Sequence, residues 1–260
     1  MDLEMKNIVL TSILILALTA ACSGPTPPAV TPTATATHPP PTTTSTATST
    51  STPTPDLTAT AQTAATEQVA AYLEELEPIL DDLGYSTSRG FLAYYDEGPY
   101  SIPLDIPASN LHEQIDSPNT YGNYILGIDL TWETEAGNAG CGLIFGAQGD
   151  IRTGESTHFV YTRFSGAPYW GFHHYRGNVF QADLLGSPFG NAAIRQSNGS
   201  TNSFVTVLQD SSITWYANDV RLGGGTMPAA LLEGSLGYFA WQESGITTCT
   251  ATNIWIWKLP

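Results

Sequence analysis

A chain of 260 residues with a formal net charge of −16, from 24 Asp and Glu against 8 Lys and Arg, lacks the basic surface that a grip on nucleic acid phosphates requires. After Lys6 the cations are Arg89, Arg152, Arg163, Arg176, Arg195, Arg221 and Lys258, scattered singly, so no polybasic patch holds an anionic lipid surface either. Any membrane attachment is therefore covalent or hydrophobic.

The first element in chain order is an apolar run at residues 8–18, of signal-peptide length and short for a bilayer span, followed by L-T-A-A-C at residues 18–22. This resembles a bacterial lipoprotein signal. The resemblance implies that the small residues Ala20 and Ala21 admit the signal peptidase and that residues 1–21 are removed. Cys22 then becomes the lipidated N-terminus of a membrane-anchored protein facing outward from the bacterial cell envelope. Thr19 replaces the branched apolar residue of the commonest pattern. Asp2 and Glu4 oppose Lys6 in the basic region, an opposition that a start at Met5 removes. The competing reading is an ordinary cleaved signal, or a retained anchor, with Cys22 incidental.

Of three cysteines, a lipidated Cys22 leaves Cys141 and Cys249, an even pair in an oxidising setting, which predicts one disulfide. Two separately buried thiols are the alternative.

Residues 22–55 are nearly all Pro, Thr, Ser and Ala after the cysteine. They supply no large apolar side chains, and the prolines block helix and ladder hydrogen bonds, so an extended, disordered linker is expected. At about 3 Å per residue its reach is on the order of 100 Å.

Residues 56–84 read as one amphipathic helix, with Asp56 as N-cap and Gly84 as its stop. Val69, Leu73, Leu76, Leu80 and Leu83 recur at three- and four-residue intervals, and Pro78 is expected to kink the run. That stripe has three uses open to it: packing on the next domain, pairing with another copy, or stiffening the linker.

From residue 85 to 260 the chain alternates short apolar runs with turn residues, the pattern of a β-sandwich. Eleven runs read as strands: F-L-A-Y-Y, S-I-P-L-D, N-Y-I-L-G-I-D-L-T-W, A-G-C-G-L-I-F-G, H-F-V-Y-T-R-F, Y-W-G-F-H-H-Y, N-V-F-Q-A-D-L, S-F-V-T-V-L-Q, S-I-T-W-Y-A-N, G-S-L-G-Y-F-A-W and N-I-W-I-W-K-L. Their order, with W-Y-A-N-D-V at residues 215–220 and the closing N-I-W-I-W, resembles the concanavalin A-like lectin/glucanase superfamily. Within it the chain is similar to the laminin-G-like and 3-keto-disaccharide-hydrolase-like jelly rolls. The resemblance implies an all-β jelly-roll sandwich, and it agrees with a pairing of Cys141 and Cys249. Lectins, glycosidases, adhesion modules and spacers share that fold, so the resemblance implies function only loosely.

The densest aromatic stretch is Y-W-G-F-H-H-Y-R, residues 169–176. On a strand Trp170, Phe172 and His174 share one side, and Gly171, His173 and Tyr175 the other, so the adjacent histidines cannot chelate one metal together. His158 is a partner for one of them, without a third ligand, and no metal site is expected. Tyr169, Trp170, His174, Tyr175 and Arg176 are the ligand-binding candidates: rings for a sugar face to stack on, with polar tips at the edges. The competing reading puts the even-numbered rings in the core and scatters the odd-numbered ones over the surface.

Glycoside hydrolysis calls for two nearby carboxyls. The E-x-D-x-E of the superfamily's laminarinases is missing, and E-T-E at residues 133–135 lacks the middle Asp, so no catalytic residue is assigned. The resemblance allows a rim calcium through Asp129, Asp150 or Asp210, without a clustered acidic loop to support it. The expectation is an anchored surface protein whose jelly roll binds a glycan or another envelope polymer without catalysis. The alternatives are a glycoside hydrolase, which needs paired acids in a cleft, and a protein-interaction or spacer module, which needs neither.

Overall fold

The computed structural model describes residues 57–115, 122–164, 167–185 and 191–260, with helix side chains from residue 69. The signal segment, Cys22, the linker and Asp56 lie outside these residues.

Helix α1 spans Leu57–Asp82 and runs through Pro78. It ends in a Schellman turn, in which Tyr85 N donates to Leu80 O at 2.8 Å and Gly84 N to Asp81 O at 2.9 Å. Gly84 sits at φ +82°, a conformation without steric cost only for glycine. Of the expected stripe, Leu76 and Leu80 are buried, Leu73 and Leu83 partly so, and Val69 remains exposed. The helix packs on the domain that follows and forms one compact unit with it over residues 56–260.

Among the described residues, thirteen strands follow: β1 (Phe91–Asp96), β2 (Tyr100–Leu104), β3 (Ser109–Gln114), β4 (Tyr124–Thr134), β5 (Ala139–Ala147), β6 (Glu155–Phe164), β7 (Ala167–Arg176), β8 (Val179–Leu185), β9 (Ser200–Gln209), β10 (Ser212–Ala217), β11 (Val220–Thr226), β12 (Ser235–Gln242) and β13 (Thr247–Lys258). They form two antiparallel sheets. The first runs β1-β13-β4-β9-β10-β11, with β2 also on β13, and the second runs β3-β12-β5-β6-β7-β8. This is the all-β sandwich that the sequence leads one to expect.

Alternation explains the core. Inward residues of β4, β9, β10 and β13, among them Leu130, Trp132, Phe204, Trp215 and Ile256, meet Leu143, Phe159, Tyr161, Trp170 and Phe172 from the second sheet. The outer face of the first sheet is covered by α1, whose Leu76 and Leu80 lie on Ile125, Val207, Trp255 and Trp257. A disulfide joins Cys141 on β5 to Cys249 on β13, with Cα atoms 6.0 Å apart, and so ties one sheet to the other. At residues 217–220, Asn218 and Asp219 take φ of +48° and +66°, the left-handed pair that a two-residue hairpin turn demands. The outer face of the second sheet is left without a helix among the described residues, and the site lies there.

Candidate ligand-binding groove

The groove begins with missing side chains. On the outer face of the second sheet Gly142 of β5 pairs with Phe239 of β12, and Gly140 with Trp241. A Cβ on Gly142 would overlap the Phe159 carbonyl and come within 2.6 Å of the Phe239 ring. On Gly140 it would stand 2.5 Å from Trp241 Nε1, and on Gly171 of β7 it would stand 2.6 Å from His173 Nε2 and 2.7 Å from Tyr169 Oη. Glycine at these three positions lets large rings lie close over the backbone, from the neighbouring strand at Gly140 and Gly142 and from the same strand at Gly171.

Between those rings is a cavity of about 520 Å³. Its floor is His158, Val160 and Thr162 of β6. Strands β3 and β12 bring His112, Phe239 and Trp241 to one side, while β7 and β8 bring Tyr169, His173, Tyr175, Phe180 and Asp183 to the other. His158 is the hub, with its ring stacked on Tyr175 at 4.3 Å and 24°, tilted on Phe239 at 4.9 Å, and edge-on to His112 at 5.6 Å. Phe180 adds edge contacts to Tyr175 at 6.0 Å and to His173 at 5.8 Å, and it remains half exposed at the rim.

A polar chain crosses one wall. Asp183 Oδ1 lies 2.7 Å from His173 Nδ1, and His173 Nε2 lies 3.3 Å from Tyr169 Oη. A carboxylate only accepts, so Nδ1 carries the proton and Nε2 accepts from the tyrosine O–H. His158 Nε2 is 3.0 Å from Ser156 Oγ.

Burial holds the imidazoles uncharged. It is the main force that lowers His112 to about 4, with the Arg152 charge adding to it. His158 is lowered to about 3 by burial first and by His112 and His173 next. His173 is also lowered, because burial outweighs the opposing pull of Asp183, and that contact is therefore a hydrogen bond to a neutral ring rather than an ion pair. Burial raises the Tyr175 hydroxyl, with Tyr169 and Asp183 contributing.

Of the five sequence candidates, the structure brings Tyr169 and Tyr175 into the groove. Trp170 points the other way and is 2% exposed, with its ring 6.0 Å from Phe159 between the sheets. It offers no face to a ligand, a correction to the expectation, because its side of β7 is the one packed between the sheets. His174 and Arg176 also leave the groove, paired with Glu155 at 2.8 Å and 2.9 Å. The residues the sequence reading missed are His112, Phe180, Asp183, Phe239 and Trp241. Two signals for them were present: glycines alternating through A-G-C-G on β5, and rings alternating through F-A-W on β12.

The three aspartates considered for calcium act separately. Asp129 accepts from Asn253 at 2.8 Å, Asp150 accepts from the Arg152 backbone at 2.7 Å, and Asp210 occupies a left-handed turn position at φ +59°. Among the described residues no three His, Cys, Asp or Glu side chains converge as a metal site.

No protein-family model matches the sequence, and no curated protein does. Solved structures with a similar outline include the carbohydrate-binding module CBM66 from Bacillus subtilis, at 10% identity over 63% of this chain and 92% of that one, with a TM-score of 0.42. A β-glucanase from Bacillus licheniformis is 14% identical over 68% of this chain and 94% of its own, with a TM-score of 0.43. A legume lectin-like domain from Entamoeba histolytica is 9% identical over 66% and 89%, also at 0.43.

Proposed function

We propose that this protein is a surface-displayed saccharide-binding module: a lipid on Cys22 holds it at the bacterial cell envelope, residues 23–55 space it from the membrane, and the groove takes sugar units without cleaving them. One observation carries the reading. A groove floored by β6 and walled by rings that glycines allow to lie close to the sheet offers apolar faces for the C–H side of a sugar ring, and the tips of Tyr169, Tyr175 and Asp183 offer hydrogen bonds to its hydroxyls. The carboxyl inventory supports a non-catalytic role. Asp183 is the one carboxyl among the described lining residues, whereas cleavage by an acid–base pair uses two, about 5 to 10 Å apart.

Full-length protein in non-ionic detergent, applied to a glycan array, is expected to bind a defined subset. Loss of the Trp241 ring (Trp241→Ala) lowers that affinity about tenfold or more, because it removes a stacking face. His174→Ala, outside the groove, leaves it unchanged. Equal responses from the two variants, or a silent array with folded wild type, sink the proposal. For the anchor, growth with a fatty-acid analogue labels the wild-type chain and spares Cys22→Ala; equal labelling of both defeats it.

A further inference from the structure

The groove is built almost without charge, and this bears on which saccharides enter it. The inference rests on the saccharide reading above and narrows it. Among the described residues that line the cavity there is no Lys or Arg, and the single carboxylate is Asp183. The nearby cations lie outside this lining: Arg176 pairs with Glu155 at 2.9 Å, and Arg152, whose charge reaches His112, lies 3.9 Å from Glu113 at the surface. The three imidazoles of the groove are buried at 4%, 4% and 6% exposure for His112, His158 and His173, which denies them the role of cationic anchor at neutral pH.

Asp183 stands apart from this apolar setting. Its side chain is 62% exposed at the rim, yet its Oδ1 is fixed by the buried His173 Nδ1–H, which is itself steadied by Tyr169. A carboxylate held by one oxygen presents the other, Oδ2, at a defined place as a hydroxyl acceptor. A uronate, sulfate or phosphate entering the groove would shed its hydration, meet no cation among the described lining residues, and face that same negative group. We propose that the groove selects uncharged saccharide units, and that Asp183 sets the selection by accepting a ligand hydroxyl and repelling anionic ones.

The test prints each neutral oligosaccharide beside its carboxylated or sulfated counterpart and measures full-length protein on both. Neutral members are expected to bind at least tenfold more tightly, with an affinity that stays level as salt rises. Asp183→Asn keeps the shape and the acceptor for His173 Nδ1 while removing the charge. It is expected to weaken neutral ligands several-fold and to narrow the neutral-to-anionic ratio, a change that a purely structural role does not produce. Anionic members binding as well as neutral ones, or an unchanged ratio in Asp183→Asn, overturn the inference and leave saccharide binding standing. Silence on both sets from folded, disulfide-bonded protein overturns the saccharide reading and this inference with it.

Discussion

Replacing both bridged cysteines, Cys141→Ala with Cys249→Ala, is expected to lower the unfolding free energy by about 3–5 kcal/mol. The bond closes a sequence separation of 108 residues, so it withholds much conformational freedom from the unfolded chain. It also joins β5 of one sheet to β13 of the other, and both residues are fully buried. A single domain is commonly stable by only about 5–15 kcal/mol, so the loss takes a large share. Urea unfolding followed by tryptophan fluorescence reads it out. The midpoint falls in the double variant, and wild type with reductant shifts in the same direction. A midpoint unmoved by either change excludes a stabilising bridge.

The second large effect is a loss of stability in acid, driven by the groove itself. An imidazole in the unfolded chain takes its proton near 6.5, whereas His112 and His158 in the fold are lowered to about 4 and about 3. Between those limits the unfolded state binds more protons, so stability rises with pH and falls as pH drops below about 6.5. Each group costs about 1.4 kcal/mol per pH unit until its own folded value is reached. His173, also lowered, acts in the same direction, as do the lowered carboxyls Asp96 and Glu155, whose contribution disappears at lower pH. From His112 and His158 alone, on the order of 5 kcal/mol is expected to go between pH 7 and pH 4.5, measured as the urea midpoint across that range. His158→Phe preserves ring contacts with Tyr175 and Phe239, removes one titrating site, and should flatten the slope. A slope as steep as wild type places the protons elsewhere.

Period-two alternation divided β7 correctly into two sides but did not reveal which side was which. Both carry rings: Trp170 and Phe172 on one, Tyr169 and Tyr175 on the other. The choice is made by partners far away in sequence. Gly223 on β11 leaves room for the Trp170 ring, 3.1 Å from where its Cβ would be, so Trp170 fills the core. The two strands absent from the sequence reading, β3 and β11, are both sheet edges: one is polar (S-N-L-H-E-Q) and the other contains three successive glycines. Edge strands bury little, so their apolar pattern is faint. Groove residues on β3, β8 and β12 converge through long-range register, and bulges where β7 meets β8 disturb simple counting at Asp183. Local signals sufficed for the hairpin at Asn218 and Asp219 and for the helix stop at Gly84, where one residue's backbone preference decides the geometry.

Strand β13 occupies an interior place in the first sheet, between β4 on one side and β1 and β2 on the other. Among the described strands it is the last in chain order. Until residues 247–258 emerge, β4 and the two N-terminal strands have no common partner, and their ladder edges stay open. The first sheet is thus not complete until residues 247–258 are in place, as expected of a fold dominated by contacts distant in sequence.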